Sequence, residues 1–155
     1  MSELKNRLHA DLTDAMRARD ELTTATLRMA LTAVTNAEVA GNTAKELSDA
    51  EVVGALQREA KKRREAAEAY DGAGRPELAQ RERAELAVVE GYLPAAMSDA
   101  ELEALVAAAV AAVATAGATG PKAMGQVMKA LQPQVAGRAD GAAVAARVRA
   151  ALAAD

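Results

Sequence analysis

Arg58, Lys61, Lys62, Arg63 and Arg64 put five cations into seven consecutive positions of the segment REAKKRREAAEAY. Cations at that density could hold a polyanion such as an RNA backbone. They could equally be the wet face of a helix, since helix surfaces are commonly filled with Lys, Arg and Glu. Periodicity bears on the choice. At about 100° per residue, Val52, Val53, Leu56, Ala60, Ala67 and Tyr70 share one side of a helix, and Arg58, Lys61, Lys62, Glu65 and Glu68 lie on or near the other. Most of the tract is therefore expected to be a solvated face. Arg63 differs, because it projects into the apolar stripe with Glu59 four residues before it, the favourable acid-to-base order. We expect Arg63 to snorkel out between helices and bind Glu59 or the next helix, and keep it as a candidate RNA contact.

A second group of cations is sparser but less diluted. Between Gly117 and Arg149 stand Lys122, Lys129, Arg138, Arg147 and Arg149, with Asp140 as the lone acid. In PKAMGQVMKALQPQV the apolar side of a helix takes Met124, Val127, Met128, Leu131 and Val135, which leaves Lys122, Gln126 and Lys129 together on the outward face. Ordinary amphipathicity would produce the same pattern. Gly125 is compatible with close approach of either a nucleic-acid backbone or a second helix. In AGRADG, Gly137 and Arg138 precede a helix that Asp140 is suited to cap, and a helix start beside an arginine favours an anion. No aromatic residue follows Tyr92, so base stacking is not available there and any contact should be to RNA shape and backbone. Lys122, Gln126, Lys129, Arg138 and Arg63 are the candidate RNA-binding residues.

Several other chemistries lack their residues. The 155-residue chain has a net charge of -3, so it has no global basic field and any polyanion site must be local. It has no Cys and a single His, His9, which leaves no thiolate nucleophile and no two-histidine metal set. We find no nucleophile with an adjacent base, and no GxxxxGK[ST] loop for a nucleotide. Neither metal nor cofactor is expected. The start, MSELKNRLHADL, lacks the apolar stretch of a signal peptide, and no run has the length of a membrane span, so a cytoplasmic location is expected.

The elements that would position these residues are all helical. Trp and Phe are absent, and a core of Leu, Val, Met and Ala at 3.6 spacing is a helix-packing core. Leu4, Leu8, Leu12, Ala15 and Met16 mark a helix over 2–19. Leu27, Ala30, Leu31, Val34 and Ala37 mark a second, stopped by Gly41 and Asn42. SDAE at 48–51 is a capping box that opens the helix bearing the basic tract, and DGAGRP ends it, with Pro76 at the first position of a fourth helix running to about Glu90. GYLP then breaks the chain. A second SDAE box at 98–101 starts an alanine-rich region of three helices, separated by AGATGP and AGRADG. The fold class is all-α, with a four-helix N-terminal domain over 1–93 and a three-helix C-terminal domain over 94–155. The residues after the two SDAE copies do not match, so they are read as independent caps rather than a duplication.

Five short motifs occur in order: R-E-x-K-x-R from Arg58, A-G-R-x-x-L from Ala73, EGYLP from Glu90, M-G-x-V-M from Met124 and G-R-A-D-G from Gly137. Together they resemble the GatB/YqeY family across almost the whole chain. The alanine-rich stretch 106–118 departs from its pattern. The resemblance implies a two-part helical protein related to the C-terminal tail of the B subunit of tRNA-dependent amidotransferases, where the tail is thought to hold the tRNA body while chemistry occurs elsewhere. It implies a tRNA-binding accessory module, with an aminoacyl-tRNA synthetase or an amidotransferase as protein partner. The alternative is an adaptor that docks on such an enzyme without touching RNA. A carbon–nitrogen ligase activity with glutamine as amido-N-donor would follow by family transfer only, since no catalytic residues for it are apparent in this chain.

Overall fold

The computed structural model describes residues 2–154. Seven α-helices make up the described residues, with no strand: α1 (Glu3–Arg17), α2 (Glu21–Val39), α3 (Asp49–Gly72), α4 (Pro76–Glu90), α5 (Asp99–Thr115), α6 (Met124–Val135) and α7 (Gly141–Ala153). A short 3-10 turn, Gly120–Ala123, leads into α6. The chain divides into two compact units, Met1–Leu93 and Pro94–Asp155.

The helix starts follow from side-chain chemistry. Ser48 accepts a hydrogen bond from the Glu51 amide (3.3 Å), and Glu51 accepts one from the Ser48 amide (2.9 Å). Ser98 and Glu101 form the same reciprocal pair. Each box satisfies two amides that would otherwise lack an intrahelical partner. Asp20 caps α2 through the Thr23 amide, Asp140 caps α7 through the Ala143 amide, and Pro76 opens α4. The first helix is shorter than its apolar repeat predicts. Arg19 takes a left-handed φ of 55°, so the chain leaves the helix after Arg17 and turns into α2.

In the first unit, α1 to α4 close around Leu8, Leu27, Val34, Val52, Leu56 and Val89, each at most 1% exposed. Two long-range ties finish it. Ser2, the N-cap of α1, donates its hydroxyl to Asp49 at the start of α3. Tyr92, from EGYLP, donates to Asp11 of α1 (2.5 Å), and Arg7 lies 4.7 Å above its ring. Burial and the Asp11 charge raise the Tyr92 pKa, so the hydroxyl keeps the proton it donates.

In the second unit, α5, α6 and α7 bury Leu102, Val106, Val127, Leu131, Val144 and Val148. The loop between α6 and α7 clips the segment before α5. Arg138 accepts from the Met97 amide through its carbonyl (2.9 Å) and donates from Nε to the Ala95 carbonyl (3.1 Å). Among the described residues, no single helix is long and apolar enough to cross a membrane.

Candidate functional site

Within α6 the outward face forms as its amphipathic pattern requires: Val127, Leu131 and Val135 are buried, Met124 and Met128 half-buried, and Gln126 and Lys129 exposed. Lys122 is also exposed but stands in the 3-10 turn before α6, because the α-helix begins only at Met124. Pro121 sits in the first turn of the 3-10 segment, and Gly120 supplies the left-handed φ of 67° that brings the chain into it. Pro133 lies in the last turn of α6, where the helix ends two residues later. Gly125 stands between the two lysines. A Cβ built there would meet nothing within 4 Å, so helix–helix packing does not account for the glycine. Its backbone is left bare on the cationic face.

Charge in this unit is redistributed by folding. Arg138 Nη2 lies 3.2 Å from Glu101, and Arg147 Nη2 lies 2.9 Å from Asp99, so two of the five cations are answered by acids at the start of α5. The charge balance over 117–149 leaves these acids out because they come 37 and 48 residues earlier. Arg138 is held by Ala95 and Glu101 rather than projecting from a helix start, and Asp140 acts as the N-cap of α7. Among the described residues, Lys122, Lys129 and Arg149 form no ion pair, and all three are exposed. Arg149 belongs to the sequence count of cations but not to the candidate site, because its helix alone does not place it relative to α6.

Part of the denser tract on α3 is answered by acids of α3 and α4. Lys62 pairs with Glu59 (3.0 Å) and Arg64 with Glu90 (3.6 Å). Arg58, Lys61, Lys62, Glu65 and Glu68 are exposed, opposite buried Val52, Leu56, Ala60 and Ala67, as the periodicity predicts.

Arg63 requires a correction. It does reach the next helix, where its Nη1 meets Glu85 of α4 at 2.6 Å and Glu82 at 3.6 Å, while Glu59 stands 4.0 Å from Nη2. It does not snorkel to solvent: the residue is 4% exposed. The cause is the depth of the acids, since Glu85 is itself 7% exposed and draws the guanidinium inward, with Arg81 at 3.3 Å on its other oxygen. Arg63 therefore offers no open charge to a phosphate. Its Nε lies buried with no hydrogen-bond partner, and among the described residues the one hydrogen bond of Nη2 goes to the Met29 sulfur at 3.5 Å. A cavity of about 390 Å³ between α2, α3 and α4 adjoins this group. Nothing in the local spacing of the sequence signals it, because its walls come from three separate helices.

The remaining motifs have structural roles. In A-G-R-x-x-L, Gly74 takes a φ of 72° and Arg75 pairs with Glu77 (2.8 Å) at the start of α4; in G-R-A-D-G, Gly137 takes a φ of 78° ahead of Arg138. A family model described as Yqey-like protein matches residues 5–152. Because that match spans nearly the whole chain, the chain belongs to the YqeY-like family. No curated protein matches it.

Proposed function

We propose that the chain is a tRNA-binding accessory module that holds RNA by shape and backbone and carries out no chemistry of its own. One observation carries this reading: Gln126 and Lys129 on the exposed side of α6, with Lys122 in the 3-10 turn that leads into it, surround an exposed glycine backbone, without an acid paired to either lysine. Lysines so placed act as point charges for phosphates, Gln126 adds a neutral donor, and Gly125 removes the side chain that would hold a ribose-phosphate strand away. The absence of aromatic residues after Tyr92 limits this unit to backbone contacts, so selectivity would come from the folded form of the RNA. The family's resemblance to the amidotransferase B-subunit tail points to tRNA as that RNA. Arg138, clipped to Ala95 and Glu101, fixes the loop before α7, and its charge is shared with Glu101 before any phosphate reaches it.

A second reading is a protein adaptor docking on an aminoacyl-tRNA synthetase or amidotransferase. It rests on Met16, Met29 and Val39, large apolar side chains about half exposed in the first unit. Gel shifts with total tRNA at low and moderate salt separate the two. The tRNA reading predicts a complex at low salt that weakens as salt rises, and no complex at either salt would leave the adaptor.

A further inference from the structure

The cavity beside Arg63 combines a donor without an acceptor and an acceptor without a donor. Arg63 Nε is buried and unpartnered, and the neighbouring Nη2 donates its hydrogen bond to the Met29 thioether, a weak acceptor, with the Glu59 carboxylate 4.0 Å away, beyond hydrogen-bond reach. Nε and Nη2 together form the side edge of the guanidinium, which pairs with two adjacent acceptor atoms at once. The far side of the group is already taken by Glu85 at 2.6 Å. Glu82 lines the same cavity, is 21% exposed, and accepts no hydrogen bond among the described residues, its nearest cation being Arg63 at 3.6 Å.

Charge narrows what could complete this pattern. The walls carry Glu59 and Glu82 against Lys62 and Arg63, with Lys62 already paired to Glu59, so they are close to neutral in sum. A phosphate or carboxylate would satisfy the arginine edge but would enter beside Glu82, with Glu85 just behind the guanidinium. A cation would satisfy Glu82 and leave the arginine edge empty. A neutral planar group with two adjacent acceptors followed by a donor answers both sides. Among nucleobases the rim of guanine carries that order: N7 and O6 accept, and N1–H next to them donates. Ala33 and Ala66 supply apolar wall for its faces, and the volume lies within the roughly 300–1,000 Å³ of small-ligand sites. Met29 is the cover. It is 50% exposed and unbranched, so it can swing from Nη2 at small cost.

We infer that the α2–α3–α4 cavity is a guanine-binding site, in which Arg63 Nε and Nη2 donate to N7 and O6 after Met29 moves aside, and Glu82 accepts from N1–H. The guanine comes either from a free nucleoside or from an unstacked position in RNA. The assignment does not depend on the α6 face, since a free nucleoside tests it without any phosphate.

The test is a titration of the full chain, labelled with nitrogen-15, following the Arg63 Nε–H resonance. Guanosine and inosine, which share N7, O6 and N1–H, should shift it saturably. 7-deazaguanosine, lacking N7, should bind roughly fivefold or more weakly, and adenosine should leave the resonance in place. Met29→Trp fills the cavity from its mouth without touching the Arg63 ion pairs, and should abolish the shift at an unchanged melting temperature. A parallel titration uses an oligoadenosine strand carrying one guanosine. A shift with that strand alone identifies RNA as the source, and a shift with guanosine as well identifies a site open to the free nucleoside. No shift with either, an equal response to adenosine, or full binding by Met29→Trp overturns the assignment.

Discussion

The tetrapeptide Ser-Asp-Ala-Glu occurs twice, and its two copies begin helices alike while ending in different company. Both form the reciprocal serine–glutamate box. In the first unit Glu51 also takes the Lys45 ammonium, six residues away, and Asp49 takes the Ser2 hydroxyl and the Leu4 amide, tying α3 to the start of α1. In the second unit Glu101 takes Arg138 and Asp99 takes Arg147, both from the far end of the chain. Local hydrogen bonding depends on the four residues alone. What else the acids bind depends on which side chains folding brings near.

The same contrast separates the two cationic regions. The tract on α3 is dense but shares its surface with acids, and its most central member is buried among three of them. The α6 face is sparse and bare. Local cation density is thus a poor guide to available charge, because a paired ion contributes little field beyond the Debye length of about 8 Å.

The largest effect expected from breaking this contrast is at Arg63. Arg63→Ala would leave Glu85, Glu82 and Glu59 facing one another around a hole, which should cost about 3–5 kcal/mol. Arg58→Gln, on the exposed side of the same helix, should change stability by less than about 0.5 kcal/mol. Urea unfolding of the two variants measures both, and equal effects would show that the Arg63 cluster is not a buried ion-pair centre.

For RNA the order reverses. Replacing Lys122 and Lys129 with Gln should reduce the slope of log affinity against log salt by about 2, one for each lost phosphate contact, with little change in stability. Replacing Arg58 and Lys62 with Gln should change the slope by less. Equal losses in the two double variants would remove the distinction between the faces.

The capping boxes allow a finer comparison. Ser48→Ala and Ser98→Ala should each cost about 1 kcal/mol, because each removes the same amide acceptor. If the units fold separately, each loss should appear in its own thermal transition. One merged transition, lowered alike by both changes, would mean that 1–93 and 94–155 unfold together.

The smallest effect concerns pH. The Lys45 side chain, followed by the Ser48 amide, lowers the Glu51 carboxyl from its ordinary 4.5 to about 2. A carboxyl depressed on folding stabilises the folded chain above its ordinary value and loses that contribution as pH falls through the depressed one. The difference in melting temperature between the parent and Glu51→Gln should therefore be constant above about pH 5 and shrink toward pH 2. A difference that does not vary with pH would place the Glu51 effect in packing rather than charge.

Interactions of short range were legible without the fold. The boxes at Ser48 and Ser98, Asp140 as N-cap, Pro76 as the first residue of α4, and the buried stripe Val52, Leu56, Ala60 and Ala67 each involve residues no more than a few turns apart. Their partners lie within the periodicity of one helix, so sequence order is enough to find them. The same holds for exposed Gln126 and Lys129, which lie opposite the apolar side of α6, whereas Lys122 stands in the 3-10 turn before it, outside the periodicity of that helix. Tertiary structure alone decided the fate of the charges. Arg63 went inward because α4 supplied Glu85, Arg138 and Arg147 were taken by the start of α5, and Tyr92 found Asp11 across 81 positions. A charge pair is set by distance in space and by depth from water, and for residues on different helices neither is written in their spacing along the chain.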